Sequence, residues 1–144
     1  MFAKLDVKQW LIASVAVFVA MIVMGYILHY PILSSLYQFA SERGVTRTAE
    51  DISAWSKYQY LAYAIFALLF TFVYSQGLET KPGLGQGLRY GLWAGLLIYL
   101  APILLLQAFT VLPRPLLLWW FFGGWVQCII SGIIAGLLYK GKTK

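Results

Sequence analysis

Four stretches of this chain each run for about twenty residues with at most one charged side chain: Trp10 to Leu28, Trp55 to Tyr74, Leu88 to Phe109 and Leu116 to Tyr139. A hydrocarbon core about 30 Å thick takes about 20 apolar helical residues to cross, and inside it every backbone N–H and C=O must be bonded internally. The four runs therefore predict an all-α, four-helix transmembrane bundle, one integral membrane domain over 1–144. Composition agrees: 61% of residues are hydrophobic and 11% charged, against about 25% charged in soluble domains. Tyr30 to Ala54, the longest connection, is too short for a separate soluble domain.

Lys4 and Lys8 precede the first span in the manner of a signal peptide, but no small-x-small cleavage pattern follows it, so the span is expected to remain as an anchor. The basic residues also set a predicted orientation. Lys4, Lys8, Lys81, Arg89, Lys140, Lys142 and Lys144 fall on one side, and Arg43, Arg47, Lys57 and Arg114 on the other. The richer side is the cytoplasmic one, which puts both termini inside. Trp55, Tyr58 and Tyr60, together with Trp119, Trp120, Phe121, Phe122 and Trp125, are expected at the outer interface, and Trp10 and Tyr139 at the inner one. The net charge of +6 is explained by these membrane-edge positions and not by nucleic acid.

Between the first two spans, Leu33, Leu36, Tyr37 and Ala40 keep helical spacing. They predict an interfacial helix over 31–40, or a continuation of the first span beyond a bend at Pro31. Thr48 or Asp51 is the expected cap of the second span, and Thr80 with Pro82 marks the approach to the third. Leu112 to Pro115 is so short a connection that the third and fourth helices are expected to form a tight antiparallel hairpin.

That hairpin would bring two rows of small residues face to face. Gly83, Gly87, Gly91 and Gly95 stand four apart on the third helix, and Gly124, Cys128, Gly132 and Gly136 do so on the fourth. Small residues at this spacing let two backbones approach closely in lipid. Gly87, Gly91, Gly95, Gly124, Cys128, Gly132 and Gly136 are the predicted helix-packing set. Cys128 is the single cysteine, which excludes an internal disulfide.

Candidate chemistry is sparse. His29, the one histidine, could ligate a haem iron or a chlorophyll magnesium through a neutral imidazole, with Met24 as a conceivable second ligand. Gln127 and Ser131 form a row beside the Gly124–Gly136 row, as a possible polar path or an interhelical hydrogen bond, with Ile130, Ile133 and Leu137 on the opposite, lipid face. Pro102 should kink the third helix and free the Ile98 carbonyl. No acidic group falls deep in a span, as a proton-coupled drug exporter would need. There is no cysteine pair for a disulfide enzyme, and no pair of deep aspartates for a membrane protease. No catalytic set and no metal site is predicted.

His29 near the end of the first helix, Tyr37 beyond it, and the Gly-x-Gly-Leu-Arg-Tyr-Gly-x-x-x-Gly entry over Gly85 to Gly95 are carried on a four-span frame. In these features the chain resembles a family of small bacterial four-span integral membrane proteins to which no activity is attached. The resemblance implies a multi-pass protein of the bacterial inner membrane, alone or as a subunit of a complex. The expected partners are the lipid bilayer and either larger membrane protein subunits or further copies of the chain. The expected function is an accessory or scaffold subunit of a larger membrane complex, such as an electron-transfer complex. The alternative is a small oligomeric transporter or channel.

Overall fold

A computed structural model describes residues 5–78 and 83–141. Lys4, Thr80, Lys81, Pro82, Lys142 and Lys144, which entered the expectations about orientation and capping, lie outside the described residues. The described chain is all-helical: α1 (Val7–Ile27), a π-helical turn (Leu28–Ile32), α2 (Ser34–Glu42), α3 (Ala49–Gln76), α4 (Leu84–Phe109) and α5 (Arg114–Leu138). Four helices are long and apolar enough to cross a membrane: Val7–Ile32, Glu50–Gln76, Leu84–Phe109 and Arg114–Leu138. The chain is a multi-pass membrane protein.

Several boundaries have a local cause. Asp6 caps α1, its carboxylate accepting from the Gln9 N–H at 3.2 Å. Thr48 caps α3, its hydroxyl accepting from the Asp51 N–H at 3.3 Å, and Glu50 and Asp51 sit in the first turn where the helix dipole favours them. α3 therefore begins well before the expected Trp55. The first span likewise runs past Leu28 to Ile32. Pro31 has no N–H to give to the preceding turn, and the helix widens there, with the Leu33 N–H reaching back to the Leu28 carbonyl at 3.1 Å. The helix expected over 31–40 is thus a π-turn followed by α2 over Ser34–Glu42. Gly44, at φ 67°, turns the chain out of α2. Pro102 lies inside α4, which continues through it to Phe109.

α1 packs between α3 and α5, and α5 packs between α1 and α4. The two ends of the bundle are here called proximal (Asp6, Gly77, Gln86, Tyr139) and distal (His29, Thr48, Leu112). Proximally the chain ends are tied together. The Asp6 N–H donates to the Tyr139 hydroxyl at 3.1 Å, and the Lys140 N–H to the Gln9 side-chain carbonyl at 2.8 Å. Tyr139 is 1% exposed, in a core with Ala13, Tyr74 and Ala135. It is packed into the proximal end of the bundle, its hydroxyl accepting from the residue that caps α1. α1 and α3 are joined in the proximal third of their spans by Ser14 and Thr71, whose hydroxyl oxygens lie 2.6 Å apart and buried. Such interhelical bonds in lipid are worth about 0.6–2 kcal/mol.

The α4–α5 contact is made by backbone. A β-carbon at Gly87 would collide with the Gly132 carbonyl, one at Gly91 with the Cys128 carbonyl, and one at Gly136 with the Gly83 carbonyl. At Gly95 it would stand 2.8 Å from both the Cys128 β-carbon and the Trp125 ring. Rising numbers on α4 meet falling numbers on α5, so the helices run in opposite directions. Gln127, Ser131 and Ala135 are buried beside this contact; on another face of α5, Phe122, Val126 and Leu137 are exposed and Ile130 and Ile133 are half-buried.

Gly91→Ala should destabilise the protein by about 1–3 kcal/mol in reversible unfolding in detergent, because the added methyl meets backbone that cannot swing aside. Gly85→Ala is the control. Its β-carbon would find only the end of the Arg89 side chain, 3.9 Å away, and stability should hold or rise slightly.

Candidate functional site

Because α4 is fastened to α5 and α3 to α1, α3 and α4 splay apart, and their shared side holds two cavities. The proximal one is a mostly apolar groove of about 890 Å³, walled by Phe66, Leu69, Val73, Trp93 and Leu97, with Arg89 and Gln86 also lining it. Two side chains bridge α3 and α4 there: the Tyr90 hydroxyl donates to the Phe70 carbonyl at 2.8 Å, and the Gln86 amide to the Gly77 carbonyl at 2.6 Å. The distal one is a cleft of about 400 Å³, to which α2, α3, α4, α5 and the π-turn all contribute. Ile98 borders both cavities.

The cleft is built from neutral polar groups on a hydrophobic frame. Among the described residues that line it, none is Asp, Glu, Lys or Arg. Its polar side chains are His29, Tyr37, Gln59, Tyr63, Tyr99, Trp120 and Gln127. The π-turn and α2 fold back so that the Tyr37 hydroxyl lies 2.7 Å from His29 Nδ1 and 2.7 Å from Trp120 Nε1. An indole N–H can only donate, so Trp120 donates to the Tyr37 oxygen. The assignment that satisfies all three groups has the Tyr37 O–H donating to His29 Nδ1, which leaves the imidazole proton on Nε2. On α3 the Gln59 amide donates to the Tyr63 hydroxyl at 2.8 Å, and the Tyr63 ring lies against Gly25 of α1, where a β-carbon would collide with its hydroxyl. Tyr99 lies against Gly124 in the same way.

Two buried groups near this wall have no partner among the described residues: the amide nitrogen of Gln127, a residue 4% exposed, and the hydroxyl of Ser131, fully buried one turn further along α5. A buried unmet donor costs about 1–3 kcal/mol.

Of the sequence-predicted residues, the cleft therefore gathers His29, Gln127 and Gly124. Ser131 stands beyond it, and Gly87, Gly91, Gly95, Cys128, Gly132 and Gly136 belong to the α4–α5 contact. For His29 Nε2 to hold a metal, Nδ1 would have to keep the proton and donate to Tyr37. The tyrosine proton would then lack the partner it has in the relay. Met24 packs instead with Val17, Met21 and Ala67. The residues missed from sequence are Gln59, Tyr63 and Tyr99, along with the inward role of Trp120. Tyr99 carried a signal, since it is the next four-residue step after Gly95. Gln59 and Tyr63 are four apart on one helical face. No family model, curated protein or solved structure matches the chain.

Tyr37 lies outside the spans, and burial pushes its phenol up to about 12, against a smaller lowering by the Trp120 hydrogen bond. Its folded value is above the unfolded value of about 10. Its contribution to stability is therefore complete below pH 10 and should be lost as pH rises from 10 to about 12. Tyrosinate absorbance followed alongside unfolding should show this component, and Tyr37→Phe should remove it. The same substitution forfeits two hydrogen bonds worth about 0.5–1.5 kcal/mol each.

Proposed function

We propose that the chain is an accessory subunit of a larger membrane protein complex in the bacterial inner membrane, and that its contribution to the complex is the distal cleft. The observation that carries this is the unbonded Gln127 amide in the wall of a neutral, hydrogen-bonding cavity. A polar group buried in a membrane bundle without a partner marks a place where something outside the chain completes the structure. Arg89, Lys8 and Lys140 on the proximal side, with the basic residues outside the described region, support cytoplasmic termini and a distal cleft toward the outer leaflet. α4, the four-residue connection 110–113 and α5 then act as one tight hairpin. The resemblance to small bacterial four-span proteins supports the same placement.

Extraction in mild detergent, with complex mass and visible absorption measured together, tests the subunit role. The expected result is an assembly much heavier than a few copies of a 16.3 kDa chain. A colourless particle of only a few copies would refute it.

The Gln127–Ser131 row favours a second reading, a small oligomeric transporter that passes polar solute along α5. Flux of a neutral polar solute into proteoliposomes, lost in Gln127→Leu, is the expected signature of that activity. Equal leak from wild type, variant and empty liposomes would dismiss it.

A further inference from the structure

We propose that the distal cleft binds the head ring of a membrane-soluble quinone, with the apolar tail lying in the α3–α4 groove. The proposal rests on the cleft being a ligand site, and it does not need the partner subunits.

Three features of the cleft select this chemistry. The first is charge. No Asp, Glu, Lys or Arg lines the cleft, so a phosphate or carboxylate head would enter a low-dielectric site with no countercharge. The occupant is neutral. The second is shape. About 400 Å³ is at the small end of single-ligand sites, which run to ~1,000 Å³, and the walls include the rings of Tyr63, Tyr99 and Trp120. Tyr63 and Tyr99 are each seated against a glycine, Gly25 and Gly124, where any side chain would displace them. Ring walls held in this way suit a flat occupant.

The third feature is hydrogen bonding. The Gln127 amide nitrogen is unpartnered, and Tyr99, a hydroxyl-bearing ring, lines the cleft with it. The relay from Trp120 through Tyr37 leaves His29 with its proton on Nε2. The cleft thus offers donors from the π-turn on one side and from α4 and α5 on the other. A ring with carbonyl oxygens on opposite edges supplies acceptors to both. Ile98 lies on the boundary between the cleft and the groove of about 890 Å³, whose walls are Phe66, Leu69, Val73, Trp93 and Leu97. A neutral head with an apolar tail fills the two spaces in one molecule.

The test is titration of the full chain, in nanodiscs of phosphatidylcholine, with decylubiquinone, read by tryptophan fluorescence. Saturable quenching is expected, above the linear quenching that partitioning alone gives in empty-site controls. Gln127→Leu and Tyr99→Phe should each weaken it about tenfold, the effect of removing one buried hydrogen bond. Gly124→Ala, which pushes the Tyr99 ring off α5, should weaken it as much, and Gly85→Ala should leave it unchanged. Tyr99→Phe keeps the ring, so it remains informative if Gln127→Leu fails to fold. Linear quenching in the wild type would overturn the proposal, as would saturation that neither Gln127→Leu nor Tyr99→Phe alters. Displacement of the quinone by dioctanoylglycerol, which has ester carbonyls but no ring, would overturn it in favour of a neutral lipid. A small particle mass on extraction would remove the subunit role and leave the quinone result standing.

Discussion

Backbone contact between α4 and α5 governs the rest of the molecule. In lipid no hydrophobic force draws two helices together, so association relies on close packing and on hydrogen bonds. Gly87 and Gly91 meet Gly132 and the Cys128 carbonyl with no side chain between them. This proximity holds α4 on the flank of α5, and with it the Trp125 indole donates to the Leu92 carbonyl at 3.1 Å. The next step along the same ridge is Tyr99, which is carried onto Gly124 and becomes a wall of the cleft. A ridge that reads as packing in its proximal part is therefore site-building at its distal end. The same contact turns α4 away from α3 and leaves their shared side open.

A second device sets the other wall. Pro31 cannot complete an α-helical turn, and the helix takes an extra residue at Leu28–Ile32. One inserted residue rotates all that follows by about 100° relative to an uninterrupted helix. That rotation, followed by the change of direction into α2, brings Tyr37 back over His29 and across to Trp120, eighty-three positions away in sequence. The polar relay at the distal end thus depends on one missing N–H in the first span.

The legible parts of this architecture were those written in composition and period. Apolar length identified the spans. Four-residue spacing identified Gly87, Gly91 and Gly95 and the row from Gly124 to Gly136, because small residues at helical period have few other uses in a membrane. Span ends were less legible. Polar first turns such as that at Thr48 to Asp51 are helical but not apolar, so hydropathy starts α3 too late. Aromatic residues near a span end were ambiguous in kind. Trp119 is 45% exposed, while its neighbour Trp120 turns inward to Tyr37, and Tyr139 is buried, although all three have the composition of an interface belt. Only the tertiary partner separates them. The cleft itself draws on four helices and the π-turn, and no local pattern announces such a meeting.

The open side of the bundle is divided by chemistry more sharply than by shape. Its proximal part is lined mostly by apolar side chains, Phe66, Leu69, Phe70, Val73 and Leu97 among them, with Gln86, Arg89 and Tyr90 as its polar members. Its distal part gathers an imidazole, amides, phenols and an indole, with no Asp, Glu, Lys or Arg among the described residues that line it. An ion path would need polar or charged groups continued through the proximal half, since an ion in hydrocarbon without them is prohibitively costly. An amphiphile with a neutral, hydrogen-bonding head meets both halves at once. The unbonded Gln127 amide and the aromatic walls around it are then explained as one set.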